Sequence, residues 1–470
     1  MAQETGLPPS IGQEIGQPAS QEIDLKYQIE ALDLSANSDD VESAIIVQDA
    51  NTGKVIYSRN PDLLLNPASN TKILTTLAAL SYLSPGFRFK TQFIGDAKIK
   101  DGRMQALTLK GFGDPSFTTD GLEDMVQKLK ASGIRSVGEV RVDESYFDNK
   151  YFPGREEGFR QRLFDLNALT IDNSQIEVVV APGEGIGERA SVNLDPPLDE
   201  FSCDGEVLTR GRSPRVDVRL VSASSNGLGI YVDGSIPYGS SPKTYRLSCE
   251  DPAQLAGTRL VDLLKRHGIE GPNDFHVAPA PPKGKVLVEE QSTTLEELLP
   301  IINKKSDNFL AELLVKVLGA EYGGPPGSTE KGIKAILREL NAAGVDVAGI
   351  YLENGSGLSR NNRVTAKTLV SALQKAYDTP RLKNHFIESL SVLGVDGTLR
   401  RRFRHTDLAG RFFGKTGTLR GVSTLSGYAY PLSGSGEKTY IYSHLINGSG
   451  KGFLQQRQLM LQVLELLLSQ

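Results

Sequence analysis

No run of about 18 apolar residues occurs in the chain, so no membrane-spanning helix is expected. The C-terminal stretch GFLQQRQLMLQVLELLLSQ is interrupted by Gln, Arg and Glu and reads as a core helix. A basic excess is also missing: 52 Lys and Arg stand against 57 Asp and Glu, a formal net charge of -5. Nothing here attracts a polyanion, and no nucleic-acid partner is expected. Cysteine is scarce, since Cys203 and Cys249 are the only two and are too few for a tetrahedral Cys-type zinc site. They read either as two separate thiols or as one disulfide closing the segment between them, and their number leaves the redox compartment open. The five histidines, at 267, 276, 385, 405 and 444, show no His-Glu-x-x-His spacing. No Gly-x-Ser-x-Gly elbow is present either, so neither zinc hydrolysis nor a nucleophile-elbow triad has support. GRFFGKTG fails as a phosphate loop because Ala409 stands where the first glycine is required, and GEGIGE at Gly183 lacks the preceding strand and following helix of a dinucleotide fingerprint. The opening MAQETGLPPSIGQEIGQPASQ has neither a basic start nor an apolar core and does not read as a secretory signal.

What the chain does contain suffices for a large core. At 470 residues it exceeds the size at which a single core keeps growing, and 39% hydrophobic with 23% charged residues describes an ordered globular protein of two or three domains. EIDLKYQIEALD has helical spacing, and ESAIIVQDANTGKVIYSRNP reads as strand, Asn-Thr-Gly-Lys turn and strand. RFFGKTGTL, STLSGYAYPL and KTYIYSHLI are three strand-like runs ahead of the C-terminal helix. Two strands from the start and three from the end can form one antiparallel sheet, which makes the middle of the chain an insertion. A weak repeat, LEDMVQKLKASGIRSVGEVRVDES and LAGTRLVDLLKRHGIEGPNDFHV, shares a helix, a Gly-Ile stop and a strand, as if one unit were split by another. Between its copies lies a Pro-, Gly- and Ser-rich stretch of short strands, VDVRLVSASSNGLGIYVDG among them. The expected organisation is α+β. Residues 1–90 and 290–470 form the main domain, 91–180 and 249–289 an inserted α/β domain, and 181–248 a small β-rich domain nested within it.

The stretch NPASNTKILTTLAAL places Ser69 three residues before Lys72 at the start of an apolar helical run. Alone, the pair has three readings: a solvated lysine, a phosphate-binding lysine, or a base that deprotonates the serine. Two other segments decide among them. INKKSDNFLAELLVKVL carries Ser306-Asp307-Asn308 on a helical segment, and RFFGKTGTL carries Lys415-Thr416-Gly417-Thr418 on a strand. Each is weak evidence by itself. S-x-x-K, S-D-N and K-T-G in one chain are the signatures that class A β-lactamases and penicillin-binding proteins share.

With these motifs the sequence resembles, over nearly its whole length, the low-molecular-mass class C penicillin-binding proteins, the D-alanyl-D-alanine carboxypeptidases and endopeptidases of peptidase family S13. GFGDPSF, ENGSGLSRNNRVTA and LGVDGTLRRRF are similar to that family's recurrent segments, with Phe112 standing where the family usually has Gly. The long gap between Ser69 and Ser306 is similar to the family's large insertion and unlike the short gap of a β-lactamase. The resemblance implies a penicillin-binding, serine β-lactamase-like transpeptidase domain, an antiparallel sheet with helices, carrying a two-domain insertion. It also implies an acyl-serine peptidase acting on peptidoglycan stem peptides, β-lactam antibiotics as covalent inhibitors, no cofactor or metal, and export to the periplasm or cell-wall space. A β-lactamase or esterase on the same fold would need a device for rapid deacylation, and the compact loop bearing the catalytic Glu of class A enzymes is missing. A silent wall-binding module would have damaged motifs, whereas Ser69, Lys72 and Lys415 are intact.

Physical roles follow for each residue. Ser69, near a helix N-terminus, gains from the positive dipole end when an oxyanion forms, and Lys72 lies one turn later on the same face. For Lys72 to act as a base its pKa must fall, through burial and a second ammonium, for which Lys415 is the candidate. Ser306 is expected to bridge the two lysines and to return a proton to the departing amine. Asn308 suits the penultimate peptide group of a substrate, while Asp307 turns away to support the local structure. Lys415, Thr416 and Thr418 lie on a strand edge able to pair with an extended peptide, and Gly417 leaves room for close approach. The resemblance adds an oxyanion hole from the backbone N–H groups of Ser69 and Thr418. It also adds contacts to the stem peptide's side chain from Asp148 and Arg360, with Asp143 or Glu144 as alternatives to Asp148.

Overall fold

The computed structural model describes residues 17–36, 40–96, 99–148, 166–199, 201–221, 228–249, 251–432 and 438–470. The leader through Gly16 and the later part of the loop that follows Asp148 lie outside these residues. The chain opens with α1 (Gln17–Ala36), the hairpin β1 (Val41–Asp49) and β2 (Val55–Arg59), a 3-10 turn (Ala68–Asn70) and α2 (Thr71–Leu83). Then come β3 (Arg88–Gly95), β4 (Arg103–Gly111), α3 (Thr119–Ala131) and β5 (Ser136–Asp143). Six strands follow: β6 (Gln175–Ala181), β7 (Ser191–Asp195), β8 (Phe201–Thr209), β9 (Arg215–Val221), β10 (Leu228–Ile236) and β11 (Lys243–Ser248). After them run α4 (Pro252–Arg266), β12 (His276–Val277) and β13 (Lys285–Thr294). The helices α5 (Leu295–Lys304), α6 (Asn308–Gly323), α7 (Thr329–Ala342), α8 (Ala366–Asp378) and α9 (Pro380–Ser389) come next. The chain closes with β14 (Ser391–Val392), β15 (Phe412–Leu419), β16 (Val422–Ala429), β17 (Tyr440–Gly448) and α10 (Gly450–Leu468).

The two N-terminal and three C-terminal strands do join, in a six-stranded sheet of order β14-β15-β16-β17-β1-β2. β1 and β17 pair antiparallel from Val41↔Gly448 to Asp49↔Tyr440, so the chain's two ends make the interior of the sheet. Both faces are covered, which is why AIIV in β1 reads as a continuous apolar run. Ile45 and Val47 face the layer of α1 and α10, packing with Leu25, Leu459 and Val463. Ala44 and Ile46 face the other layer with Leu77, Leu313 and Tyr428. Within that second layer α2 is buried from Thr71 to Leu80, and α6 from Leu310 to Ala320. Helices that are apolar nearly all round sit inside a domain, and these two form its centre.

The inserted chain leaves and returns through adjacent strands. β3 and β13 pair antiparallel, with Lys90 opposite Gln291 and Arg88 opposite Thr294. They complete a five-stranded sheet of order β12-β5-β4-β3-β13. The two copies of the repeat stand side by side there, β12 pairing parallel with β5 through His276↔Arg141 and Val277↔Val142. Two three-stranded sheets, β8-β10-β9 and β11-β6-β7, complete the insertion. β6 therefore pairs with strands of the following segment and stands apart from the five-stranded sheet. Of the two readings of the cysteines, the disulfide is not formed: Cys203 and Cys249 are not bonded to each other. Cys203 is exposed on β8, whereas Cys249 is buried just after β11, in the other small sheet, where its Sγ donates to the Asp251 carbonyl at 3.2 Å.

Candidate active site

Ser69 sits in the 3-10 turn that feeds α2, between a strained residue and a deeply anchored one. Ala68 has a positive φ of 44°, a conformation that costs a non-glycine residue about 1 kcal/mol or more. Neighbours fix the turn in place. The Asn66 side chain accepts from the Ala68 N–H at 2.9 Å, Thr71 Oγ1 donates to the Ala68 carbonyl at 2.9 Å, and the buried Asn70 amide donates to Ser426 Oγ at 2.8 Å. The hydroxyl of Ser69 is thus presented at the head of the central helix by contacts to the main sheet.

Lys72, on the first turn of α2, is fully buried. Its Nζ lies 3.2 Å from Ser69 Oγ, 2.7 Å from Asn308 Oδ1 and 2.6 Å from the Ser356 carbonyl. Asn308 and Ser356 are pure acceptors toward the amine, so a neutral Lys72 spends its two N–H donors on them and turns its lone pair to the Ser69 hydroxyl. Burial pushes its pKa down to about 7, opposed by the carboxylates of Glu312 and Asp307. Lys415, the expected second ammonium, is also fully buried and is pushed well down by burial and then by the charge of Lys72. Burial is the largest cause of the lowered Lys72 pKa.

Ser306 joins the cluster from the α5 to α6 connection, with a positive φ of 59°. Lys415 Nζ donates to Ser306 Oγ at 2.9 Å and to the Thr416 carbonyl at 3.0 Å. Since the hydrogen bonds of Lys72 go to Ser69, Asn308 and Ser356, the expected two-lysine bridge through Ser306 stands on the Lys415 side. Asp307 does turn away: it caps α6 by accepting from the Leu310 N–H at 2.8 Å, a contact worth about 1 kcal/mol. This cap also fixes the helix start from which Asn308 reaches Lys72.

β15 passes directly over the Ser69 turn. β14 pairs only with Phe413 and Gly414 of β15, so among the described residues its Lys415–Leu419 portion has a partner strand on one side only. An extended peptide can add to that free edge. Gly417 is required by the crossing: a Cβ there would lie 2.2 Å from Thr424 Oγ1, 2.7 Å from the Pro67 carbonyl and 3.0 Å from the Ser69 nitrogen. Thr416 Oγ1 donates to Thr398 Oγ1 at 2.7 Å, and the Thr418 side chain is exposed at the rim.

Asp148 and Arg360 are placed elsewhere. Asp148 pairs with the buried Lys316 of α6 at 2.9 Å, and its N–H donates to the Gly327 carbonyl at 2.9 Å. Asp143, Glu144 and Asp148 line one cavity of about 450 Å³ beside Pro326. There Asp143 already accepts from Lys110 and from the Ala280 N–H, both at 2.7 Å. Arg360 is exposed and donates to the Arg420 carbonyl at 2.6 Å, just beyond the end of β15. Sequence reasoning missed Ser356, Glu312 and Thr398. The available signals were a lone carboxylate, Glu312, in the apolar run NFLAELLVKVL at four residues from Asn308, and the Gly-Ser-Gly turn inside ENGSGLSRNN.

Comparisons with known proteins agree on one family. The model of the D-Ala-D-Ala carboxypeptidase 3 (S13) family matches residues 26–467. A D-alanyl-D-alanine carboxypeptidase of Actinomadura sp. strain R39 is 33% identical over 426 residues, covering 86% of this chain and 78% of that protein. The D-alanyl-D-alanine carboxypeptidase DacB of Haemophilus influenzae is 27% identical, covering 88% of this chain and 86% of its own length. The crystal structure of penicillin binding protein 4 from H. influenzae superposes with a TM-score of 0.72 at 25% identity, over 93% of this chain and 99% of that one. A predatory endopeptidase of Bdellovibrio bacteriovorus shares the fold at a TM-score of 0.51. With its buried lysine against Ser69 and its glycine strand above it, this chain belongs to the S13 peptidase family of D-Ala-D-Ala carboxypeptidases.

Proposed function

We propose that this chain hydrolyses the terminal D-alanyl-D-alanine bond, or the corresponding cross-link, of peptidoglycan stem peptides through an acyl-enzyme on Ser69. β-Lactams acylate the same hydroxyl. The observation that carries this reading is the buried Lys72 Nζ at 3.2 Å from Ser69 Oγ with its pKa lowered to about 7. Lys72 takes the Ser69 proton as Oγ attacks the carbonyl, and the N–H groups of Ser69 and Thr418 receive the oxyanion, a device worth roughly 3 to 4 kcal/mol per donor. Ser306, bonded to Lys415, hands its hydroxyl proton to the departing D-alanine nitrogen and is refilled by the proton that Lys72 took from Ser69, which restores the free amine; water then attacks the acyl-serine by the reverse route. The Asn308 amide, with its oxygen on Lys72, has its NH₂ left to donate to the substrate's penultimate carbonyl. Lys415, Thr416 and Thr418 receive the terminal carboxylate while the β15 edge pairs with the peptide backbone. Arg360 and the acidic cavity around Asp148 contact the side chain of the stem peptide in this reading. The insertion, residues 91–289, serves as a separate wall-facing body, and the protein works outside the cytoplasm. No described helix is long and apolar enough to cross a membrane.

Incubation with a labelled penicillin followed by mass spectrometry tests the reading. A long-lived adduct on Ser69 is expected. Labelling that persists in folded Ser69→Ala removes the nucleophile, and rapid turnover of the adduct replaces a peptidase with a β-lactamase on this fold.

A further inference from the structure

Glu312 is a carboxyl group with no business in an apolar helix. It lies four residues after Asn308 on α6, hence on the same face, and is 1% exposed. Its Oε1 accepts from the Ser356 N–H at 2.5 Å, while its Oε2 is buried with no hydrogen-bond partner among the described residues. Ser356 is the residue whose carbonyl holds Lys72 at 2.6 Å. One backbone residue is thus gripped on its N–H side by Glu312 and on its carbonyl side by Lys72. The turn is tight: the Gly355 carbonyl accepts from Thr75 Oγ1 at 2.8 Å, and Gly357, at a positive φ of 84°, leaves no room for a Cβ against the Ala68 carbonyl. An ionised carboxylate with a bare buried oxygen is expensive, whereas a protonated one is tolerated.

We propose that Glu312 is a positioning residue for acylation, whose carboxyl anchors the Ser356 turn against Lys72 and sets the proton occupancy of that lysine. The inference rests on Lys72 being the base assigned above. Burial opposes the charged form of both groups: the carboxyl is pushed up to about 7 and the amine down to about 7, and each charge favours the other. Near neutrality the pair therefore holds one proton between two sites. With the proton on Glu312 both groups are neutral and Lys72 is a competent base; with the proton on Lys72 both are ionised and it is not. The other groups bearing on the pair are few. Asp307 at the start of α6 favours the charged amine, Lys415 from β15 is the cation influenced by Lys72, and Thr75 with the Gly355 and Ser356 backbone are neutral.

The test is the pH dependence of acylation by a fluorescent penicillin in wild type and Glu312→Gln. Glutamine keeps an acceptor for the Ser356 N–H and removes the charge that favours the lysine cation. The rising limb of the rate profile is expected to move to lower pH by about one unit. A latch with no electrostatic role would scale the rate equally at all pH values, so an unmoved limb in folded Glu312→Gln overturns the proposal. Lys72→Met that acylates like wild type would instead remove the base itself, a separate failure. Should Glu312→Gln not fold, the infrared band of a protonated carboxyl is followed in wild type and Lys72→Met. The expected band titrates near neutrality and persists to higher pH once the lysine is gone; a band that ignores Lys72, or none at pH 6, overturns the proposal.

Discussion

Gly417→Ala isolates how closely the β15 edge must approach the nucleophile. The added methyl would meet Thr424 Oγ1 at 2.2 Å, the Pro67 carbonyl at 2.7 Å and the Ser69 nitrogen at 3.0 Å. Two of these are backbone atoms of the catalytic turn, and the third is a hydroxyl committed to the Pro67 carbonyl at 2.9 Å, so rotating it away breaks a buried bond. The strand must therefore lift off the turn, carrying the Thr418 N–H away from the Ser69 N–H. Overpacking of this kind costs about 1 to 3 kcal/mol of stability. Misplacing one oxyanion donor is expected to lower acylation by about 10² to 10³. Gly410→Ala is the control: its φ of 83° is also positive, but a Cβ there meets nothing within 4 Å. It should lose about 1 kcal/mol of stability with an unchanged acylation rate. Second-order acylation rate constants for a fluorescent penicillin, alongside thermal melts, measure both effects. If Gly417→Ala acylates within about threefold of wild type, a barrier change below about 1 kcal/mol, the two N–H groups do not act together and the placement of the oxyanion hole is refuted.

Ser69→Ala should abolish penicillin labelling with an unchanged circular dichroism spectrum, because a hydroxyl at a helix start contributes at most about 1 to 2 kcal/mol. With Lys72 as the proposed base its neutral form reacts, so the acylation rate should climb as pH rises through about 7; Lys72→Arg, which stays charged, should be slow and lack the limb. Lys316→Ala leaves Asp148 unpaired against α6 and should destabilise by about 3 to 5 kcal/mol in chemical denaturation, whereas a loss under 1 kcal/mol would mean that water replaces the amine. Amidating the terminal D-alanine of a stem pentapeptide should cost about 2 to 5 kcal/mol in kcat/KM through the uncompensated Lys415, and Thr418→Ala should narrow the gap between acid and amide; equal rates on both would exclude carboxylate recognition.

Much of this site was legible because its motifs are local and their chemistry dictates residue type. Ser69 and Lys72 are one helical turn apart, and Lys415 through Thr418 are consecutive on one strand, so spacing alone places each group. The strands at the two ends of the chain announced themselves by apolar runs that only a sheet covered on both faces explains. What stayed hidden depends on contacts between segments far apart in sequence. Ser356 acts through its carbonyl, which any residue possesses, so no side chain advertises it. Burial as a cause of the lowered Lys72 pKa was anticipated, but its extent is a property of the packed α2 and α6 and cannot be read from one lysine's neighbours in sequence. Cys203 and Cys249 bracket a segment that divides into two sheets, a split invisible in a list of short strands, and so the sequence left two thiols and one disulfide equally open.

The pairing of β1 with β17 has a consequence for the order in which the protein comes into being. Synthesis delivers Ser69 and Lys72 early, yet Lys415, Gly417 and the strands that seat the nucleophile's turn appear only after the whole insertion has been made. At about 5 to 20 residues per second the interval is on the order of tens of seconds. During it the insertion can close on itself through β3 and β13, while the hairpin that precedes α2 waits for its partner. On the proposed mechanism, a nascent or truncated chain therefore carries Ser69 without the strand that completes its site, and the enzyme becomes armed only when β15 to β17 arrive.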